Sequence, residues 1–383
     1  MSQHTRRQFI GSVGSTAVTT VLAPGALAAG RPASVGQKAA PARTPPPQYF
    51  GYQSEIYLNG VVRGVEPKIT TNLSKLEAQA SSVLDRQARE HLLAGAGGGV
   101  AARANARAFR GWRIIPRMFR AHAERDLSTT VLGTRMPAPI IFAPVGRQRL
   151  AHPDGELASA RAAAALELTY IQSPRASYSI EEVAAAIGTG SRWYQLDWPN
   201  DDGLDVGALR RARVAGYSHL LITPARSGRS WEQLRLIRKR WDGPILLMGV
   251  QSVRDAKLAA NRRFDGIVVS GHGGRRGDGA IASLDALPPI VDAVGDRLAV
   301  LFDSGIRTGP DVYKALALGA DAVLVGRPYV YGLALDGQAG VTHVMRTLLA
   351  ELDLTVANAG YRSHRELSRE SLARVRRPAR QAH

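Results

Sequence analysis

From about residue 138 the chain repeats one unit. A short apolar run ends in polar or glycine residues, and an amphipathic segment of roughly ten to fifteen residues follows. The runs are PIIFAP (139–144), LTYIQS (168–173), RWYQLD (192–197) and HLLITP (219–224). Four more are PILLMG (244–249), GIVVSG (266–271), AVLFDSG (299–305) and AVLVGRP (322–328). Helix-like stretches such as GELASARAAAALE (155–167) and GPDVYKALALGA (309–320) lie between them. Strands that read as apolar without alternation are buried on both faces, as in parallel sheets covered by helices. Repeated around a closed ring, the unit predicts an α/β fold, a (β/α)8 TIM barrel with an N-terminal helical extension over the residues before the first strand. An open doubly wound sheet is the alternative, but no G-x-G-x-x-G follows the first strand.

In a barrel the C-terminal ends of the strands surround one site. One such end is VVSGHGGRRGDG (268–279), which sets a histidine among glycines and adds two arginines. His272 is therefore expected to face Gln195, Thr223, Met248, Asp303 and Arg327 across a common mouth. A neutral imidazole is a suitable base near pH 7. Arg275 stands close enough in sequence to hold an anion beside it, and Asp303 to orient the ring. The last two strand ends, FDSGIRTGPDV and LVGRPYV, each bring glycine and arginine together. Glycine lets backbone N–H groups approach an anion, a helix N-terminus after the strand favours it, and arginine binds phosphate bidentately. The loops after strands seven and eight are thus the expected phosphate site.

The ends of the chain read differently. Residues 5–30 contain Arg6–Arg7, Phe9, a mild apolar run and Ala26–Ala28. That order predicts a twin-arginine signal over 1–30 and export, periplasmic or secreted; the alternative is a membrane anchor left uncleaved. Residues 31–48, RPASVGQKAAPARTPPPQ, read as a Pro/Ala-rich linker, 49–370 as the barrel domain and 371–383 as a basic tail.

Composition narrows the chemistry. Among 383 residues there is no cysteine, which excludes disulfides, thiolate catalysis and Cys-ligated metals. The net charge is +18, but the arginines are spread along the chain. With no RNA-binding signature and no zinc spacing, nucleic-acid binding and a metal site are not expected.

The chain resembles the FMN-dependent α-hydroxy-acid oxidase/dehydrogenase family, which includes glycolate oxidase, lactate oxidase and mandelate dehydrogenase. The resemblance runs from about residue 92 to 370. It is carried by LAGAGGGVAARANARAF, PRMFR, DLSTTVLG, SIEEVA, HGGRRGDGAIASLDALPPIV, DSGIRTGPDVYKALALGADAVLVGRP and ANAGYRS. It implies FMN as cofactor and a small-molecule 2-hydroxy acid or related substrate. It leaves the electron acceptor open, oxygen or a redox partner, and suggests a homo-oligomer, a tetramer in relatives. The implied flavin site is Ala143, Pro144, Val145, Ser173, Gln195, Thr223, Met248 and Ser270, with Asp303, Gly305, Arg307, Gly326 and Arg327 at the phosphate. His272 corresponds to the base that takes a proton as two electrons pass to flavin N5, and Arg275 to the arginine that grips the substrate carboxylate.

The departures fall on the substrate side. Where the family's fifth strand ends in Lys-Gly, this chain has Met248-Gly249. His91 and Asp197 correspond to tyrosines, and Arg175 lies near a tryptophan. Ser230 stands where a second arginine is expected, with Arg226 and Arg229 as substitutes nearby. The rewritten pocket implies either a different substrate, larger or amine-bearing, with Asp197 available to a cation, or a weak 2-hydroxy-acid oxidase. A flavin-binding protein with little turnover is the reading from another class, and the kept His272 and Arg275 argue against it.

Overall fold

The computed structural model describes residues 49, 51–120, 124–197, 205–223 and 234–375. Its centre is a closed ring of eight parallel strands: β1 Ile140–Phe142, β2 Thr169–Gln172, β3 Arg192–Asp197, β4 Leu220–Thr223, β5 Ile245–Val250, β6 Gly266–Val269, β7 Ala299–Asp303 and β8 Ala322–Val325. Each of the eight apolar runs forms one strand. The ring closes where β8 pairs with β1, Val323 opposite Ile140 and Val325 opposite Phe142. This closure rules out the open sheet.

Side chains alternate across each strand. Ile141, Ile171, Trp193, Leu221, Leu246, Met248, Val268, Leu301 and Leu324 fill the barrel interior. Ile140, Phe142, Tyr170, Tyr194, Leu220 and Leu247 belong to the core shared with the outer helices. A hairpin of Thr129–Val131 and Thr134–Met136 sends Val131 and Met136 into the interior cluster. It meets the N-terminal ends of β3 and β4. Trp193 Nε1 donates to Thr134 Oγ1 at 3.3 Å, and His219 stacks on Trp193 with its Nε2 3.0 Å from the Leu132 carbonyl. The plugged end leaves the opposite mouth as the place for a site.

The expected helical extension is present. Helices Gly51–Arg63, Leu76–Val83, Arg86–Leu92 and Val100–Ala108 precede the barrel. Asp85 caps the third by accepting from Ala88 N–H at 2.7 Å. This helix carries His91 and Leu92 to the mouth. Helices Gly155–Ala165 and Gly309–Ala317 begin where the pattern places them and end two and three residues short of the stretches read from it. A long helix, Arg327–Asn358, follows β8 and breaks at Asp336 and Gly337.

The body does not end at residue 370, as the sequence suggested. Leu372–Arg374 pairs antiparallel with Trp112–Ile114, so the start of the expected tail belongs to the domain. The expected signal, the linker, and residues 376–383 of the tail lie outside the described residues.

Candidate functional site

A cavity of about 760 Å³ opens at the C-terminal ends of the strands. That is the size of a typical small-molecule or cofactor site. The loop after β1 contributes Ala143, Pro144, Val145 and Gly146, and the loop after β2 Ser173 and Arg175. Strands β3 to β5 contribute Gln195, Asp197, Thr223 and Met248. The later strands and their loops add His272, Arg275, Asp303, Gly305, Arg307, Gly326 and Arg327, and the extension adds His91. The sequence-derived site residues are thus brought together, with one exception.

The exception is Ser270. It is fully buried behind the wall and does not line the cavity. Its hydroxyl donates to Asp303 Oδ2 at 2.5 Å and accepts from His272 N–H at 2.9 Å. Its place is beneath the histidine rather than against a cofactor. Ser304 works beside it: its hydroxyl donates to Asp303 at 3.3 Å and accepts from Gly273 N–H at 2.9 Å and Gly271 N–H at 3.2 Å. Two hydroxyls therefore tie the backbone of 271–273 to one buried carboxylate. Burial pushes the Asp303 carboxyl above its ordinary range, against the hydrogen bonds from Ser270 and Ser304.

That network holds a strained turn. His272 has φ +50°, in the left-handed region that a residue with a β-carbon seldom adopts. Such a conformation costs on the order of 1–3 kcal/mol and persists where its surroundings fix it. Across from it, Gly249 in β5 has φ +100°, and a β-carbon there would stand 2.6 Å from His272 Cε1. Sequence reasoning missed the parts played by Ser304 and Gly249. Both lie next to residues it did name, Asp303 and Met248.

The phosphate end differs from expectation in one respect. The helix after β7, Gly309–Ala317, does not offer its N-terminus to a ligand. Asp311 accepts from the N–H groups of Arg307 and Thr308, each at 3.1 Å, and Glu351 accepts from Gly309 N–H at 2.7 Å. The helix after β8 differs. Its N-cap, Gly326, has no side chain to cap with, and Gly326 and Arg327 both line the cavity. An N-terminus left without a side-chain cap favours an anion. Gly305 is required by packing: a β-carbon would meet the Asn105 carbonyl oxygen at 2.4 Å.

Three arginines converge there. Burial and the neighbouring Arg327 push Arg275 down to about 10, and burial and Arg307 lower Arg327. Like charges crowded in a desolvated space favour an anion. Arg327 Nη2 donates to the Gly273 carbonyl at 2.9 Å, which links the phosphate end to the histidine turn. Glu77 of the extension stands 3.6 Å from Arg307 and accepts from Tyr331 Oη at 2.9 Å.

Between these ends the wall is uncharged. Gln195 Nε2 donates to Thr223 Oγ1 at 2.8 Å and lies 3.6 Å from Met248 Sδ. The substrate-side residues form a connected rim. Arg275 donates to the His91 carbonyl, and His91 Nε2 lies 3.3 Å from the Gly146 carbonyl. Burial lowers the His91 pKa against the bond to Gly146, with nearby arginines lowering it further. Arg175 Nε bonds Asp197 Oδ2 at 2.9 Å. The carboxylate that the sequence left available to a cationic substrate is already engaged. Ser230, Arg226 and Arg229 lie outside the described residues.

The donors fit a flat ring carrying a phosphate. An uncapped helix end with Arg307 and Arg327 suits the anion, and Ser173, Gln195 and Thr223 can meet polar ring edges beside the main chain of 143–146. Comparison with known proteins agrees. The profile of the family described as FMN-dependent dehydrogenase matches residues 80–224 and 224–374. The chain belongs to this family. It is an oxidoreductase, and FMN is its cofactor. An FMN-dependent alpha-hydroxy acid dehydrogenase of Penicillium citrinum is 38% identical, over 87% of this chain and 98% of that protein. An L-lactate oxidase of Lysinibacillus sphaericus is 37% identical, over 70% of this chain and 84% of that one. A solved mandelate oxidase, with 3,3-difluoro-2-hydroxy-3-phenylpropionic acid, superimposes with a TM-score of 0.74 at 36% identity, covering 79% of this chain and 98% of that one.

Proposed function

We propose that this protein oxidises a 2-hydroxy acid to the 2-oxo acid, with His272 as base and Arg275 as the carboxylate anchor. The observation that carries the reading is the placement of His272. It is held in a left-handed conformation at the cavity wall by Ser270 and Ser304, with Arg275 lining the same cavity. A protein that only bound flavin would gain nothing from a strained base.

FMN, when bound, supplies the two-electron acceptor. Arg275 binds the substrate carboxylate, and its partial burial strengthens that contact. His272 takes the proton released as the hydroxy carbon is oxidised. Asp303 supports this through Ser270 and Ser304, which fix the backbone that carries the ring. Arg307, Arg327 and the N-terminus at Gly326 hold the phosphate. Gln195 and Thr223, joined to each other, would together present fixed polar groups to the ring.

An amine-bearing substrate loses its support, because the Arg175 guanidinium already offsets the Asp197 charge and would repel a second cation there. The family names carried by relatives, lactate and mandelate oxidase, favour hydroxy acids. The test is anaerobic mixing of the flavin-loaded protein with a panel of 2-hydroxy acids and amines. Bleaching of the flavin by hydroxy acids, abolished in His272→Ala, is expected. Bleaching by amines alone would overturn the reading.

Export by the twin-arginine route is part of the proposal. It is supported by Arg6–Arg7 and the Ala26–Ala28 site. N-terminal sequencing of protein from its native host should find a start near Ala29. An intact Met1 or Ser2 on cytoplasmic protein would refute it.

A further inference from the structure

Gln195 and Asp197 are two residues apart on β3, so both side chains point to the same face. The Gln195 amide reaches along the wall to Thr223 and Met248, while in the strand register Gln195 stands opposite Leu221 and Asp197 opposite Thr223. Asp197 therefore stands about 6.6 Å farther along the strand, toward the mouth. Arg175, from the loop after β2, reaches it at 2.9 Å. The backbone of Arg175 packs on Gly146: Arg147 N–H donates to the Arg175 carbonyl at 3.0 Å, and a β-carbon on Gly146 would meet that oxygen at 2.7 Å. The next contact around the rim is His91 on the Gly146 carbonyl, and then Arg275 on the His91 carbonyl. Arg275 and the Asp197–Arg175 pair thus belong to one polar rim.

The Asp197 carboxylate is 30% exposed and its partner 75% exposed. The pair is open to the cavity, and an ion pair that exposed is weak enough to exchange a hydrogen bond with a ligand. Alone, Asp197 would repel a carboxylate substrate. Beside Arg175 its charge is offset, and its second oxygen can still accept a hydrogen bond. A site that hydrogen-bonds a substrate group rejects the analogue lacking it much more strongly than an apolar pocket separates two alkyl groups.

We propose that the Asp197–Arg175 pair determines which 2-hydroxy acids are accepted, favouring those whose side chain bears an uncharged hydrogen-bond donor, a hydroxyl or N–H, over apolar ones. This rests on the reading of the site as a 2-hydroxy-acid oxidoreductase. Asp197 accepts the hydrogen bond and Arg175 keeps the carboxylate from repelling the substrate.

The test uses the flavin-loaded protein under nitrogen with two matched pairs of acids. One is 2,3-dihydroxypropanoate against 2-hydroxybutanoate; the other is 3-(4-hydroxyphenyl)lactate against 3-phenyllactate. In at least one pair, kcat/KM should favour the donor-bearing acid by about tenfold or more. Asp197→Ala should bring that ratio near one. Arg175→Met should raise KM for both members and leave the ratio in place. Ratios within twofold in both pairs, a ratio unchanged in Asp197→Ala, or one lost in Arg175→Met would overturn the assignment. If no hydroxy acid bleaches the flavin, the oxidation reading fails by itself. Binding of 3-(4-hydroxyphenyl)propanoate against 3-phenylpropanoate, and of 3-hydroxypropanoate against butanoate, followed by the flavin absorbance, then decides the inference. Preference for the hydroxylated acid in either pair supports it and equal Kd values in both refute it.

Discussion

His272 rests against Gly249: a β-carbon on that glycine would lie 2.6 Å from Cε1 and 3.4 Å from Nδ1 of the imidazole. The two residues come from neighbouring strand ends, and the glycine is what lets the ring reach the wall beside Met248. A methyl group there would push the ring out and would also strain a backbone at φ +100°.

Gly249→Ala should therefore keep its flavin and lose its chemistry. Misplacing a reacting group by about 1 Å costs on the order of a hundredfold in rate. Flavin reduction measured by stopped flow should fall by about that factor, with FMN content per chain unchanged. Reduction at the wild-type rate would mean that the imidazole is not held by this contact.

Arg307 and Arg327 should govern FMN retention. Each charge-assisted hydrogen bond to a phosphate contributes about 1.5–3 kcal/mol. Arg307→Ala should release flavin on gel filtration, and Glu77→Gln, which removes the carboxylate 3.6 Å from Arg307, should tighten binding. Flavin absorbance per protein absorbance measures both. An equally yellow Arg307→Ala protein would place the phosphate elsewhere.

Much of this was legible in the sequence because a parallel barrel writes itself locally. Each strand is an apolar run, and the residues that end it, such as Gln195, Asp303 and Arg327, are at the mouth by topology alone. Partnerships across the fold were not legible. Arg175 meets Asp197 because β2 and β3 are adjacent, which brings the loop after β2 beside the last residue of β3. Glu351, from the long last helix, accepts from the Gly309 amide that the glycine-rich loop was expected to offer to phosphate. Leu372–Arg374 finds its partner strand at Trp112–Ile114, far away in sequence, and a basic three-residue strand has no period to read. The resemblance put Ser270 at the flavin, but its hydroxyl is taken up by the Asp303 carboxylate and the His272 N–H behind the cavity wall.

Glu351 makes the stability pH-dependent. Burial pushes its carboxyl up to about 7, against the bond from Gly309 N–H, and Asp311 raises it further. A folded pKa above the unfolded value of 4.5 means that the folded state holds the proton more tightly. The resulting stability is full below pH 4.5 and is lost as pH rises to about 7, an effect of at most ~3 kcal/mol. Glu351→Gln keeps an acceptor for Gly309 and cannot ionise. Its melting temperature should match wild type near pH 5 and exceed it at pH 8. A difference that does not change between those pH values would show that Glu351 does not titrate in this range.

Met248 is expected to slow flavin reduction. The family resemblance puts a lysine at this position, beside the part of the flavin that becomes negative on reduction. Here a buried thioether lies 3.6 Å from Gln195 Nε2. A sulfur accepts weakly and carries no charge. Losing one preorganised group of this kind costs about 2.7–4 kcal/mol of transition-state stabilisation, a factor of roughly 10²–10³. The protein should therefore be reduced slowly by glycolate, lactate and mandelate. Met248→Lys should accelerate reduction, because Gln195 and Thr223 already provide a polar wall beside a new ammonium. Anaerobic stopped-flow traces with the three acids decide the matter. Complete bleaching of wild type within milliseconds would show that the neutral residue is no handicap. A Met248→Lys protein that binds FMN and is no faster would show that charge at this position does not limit the rate.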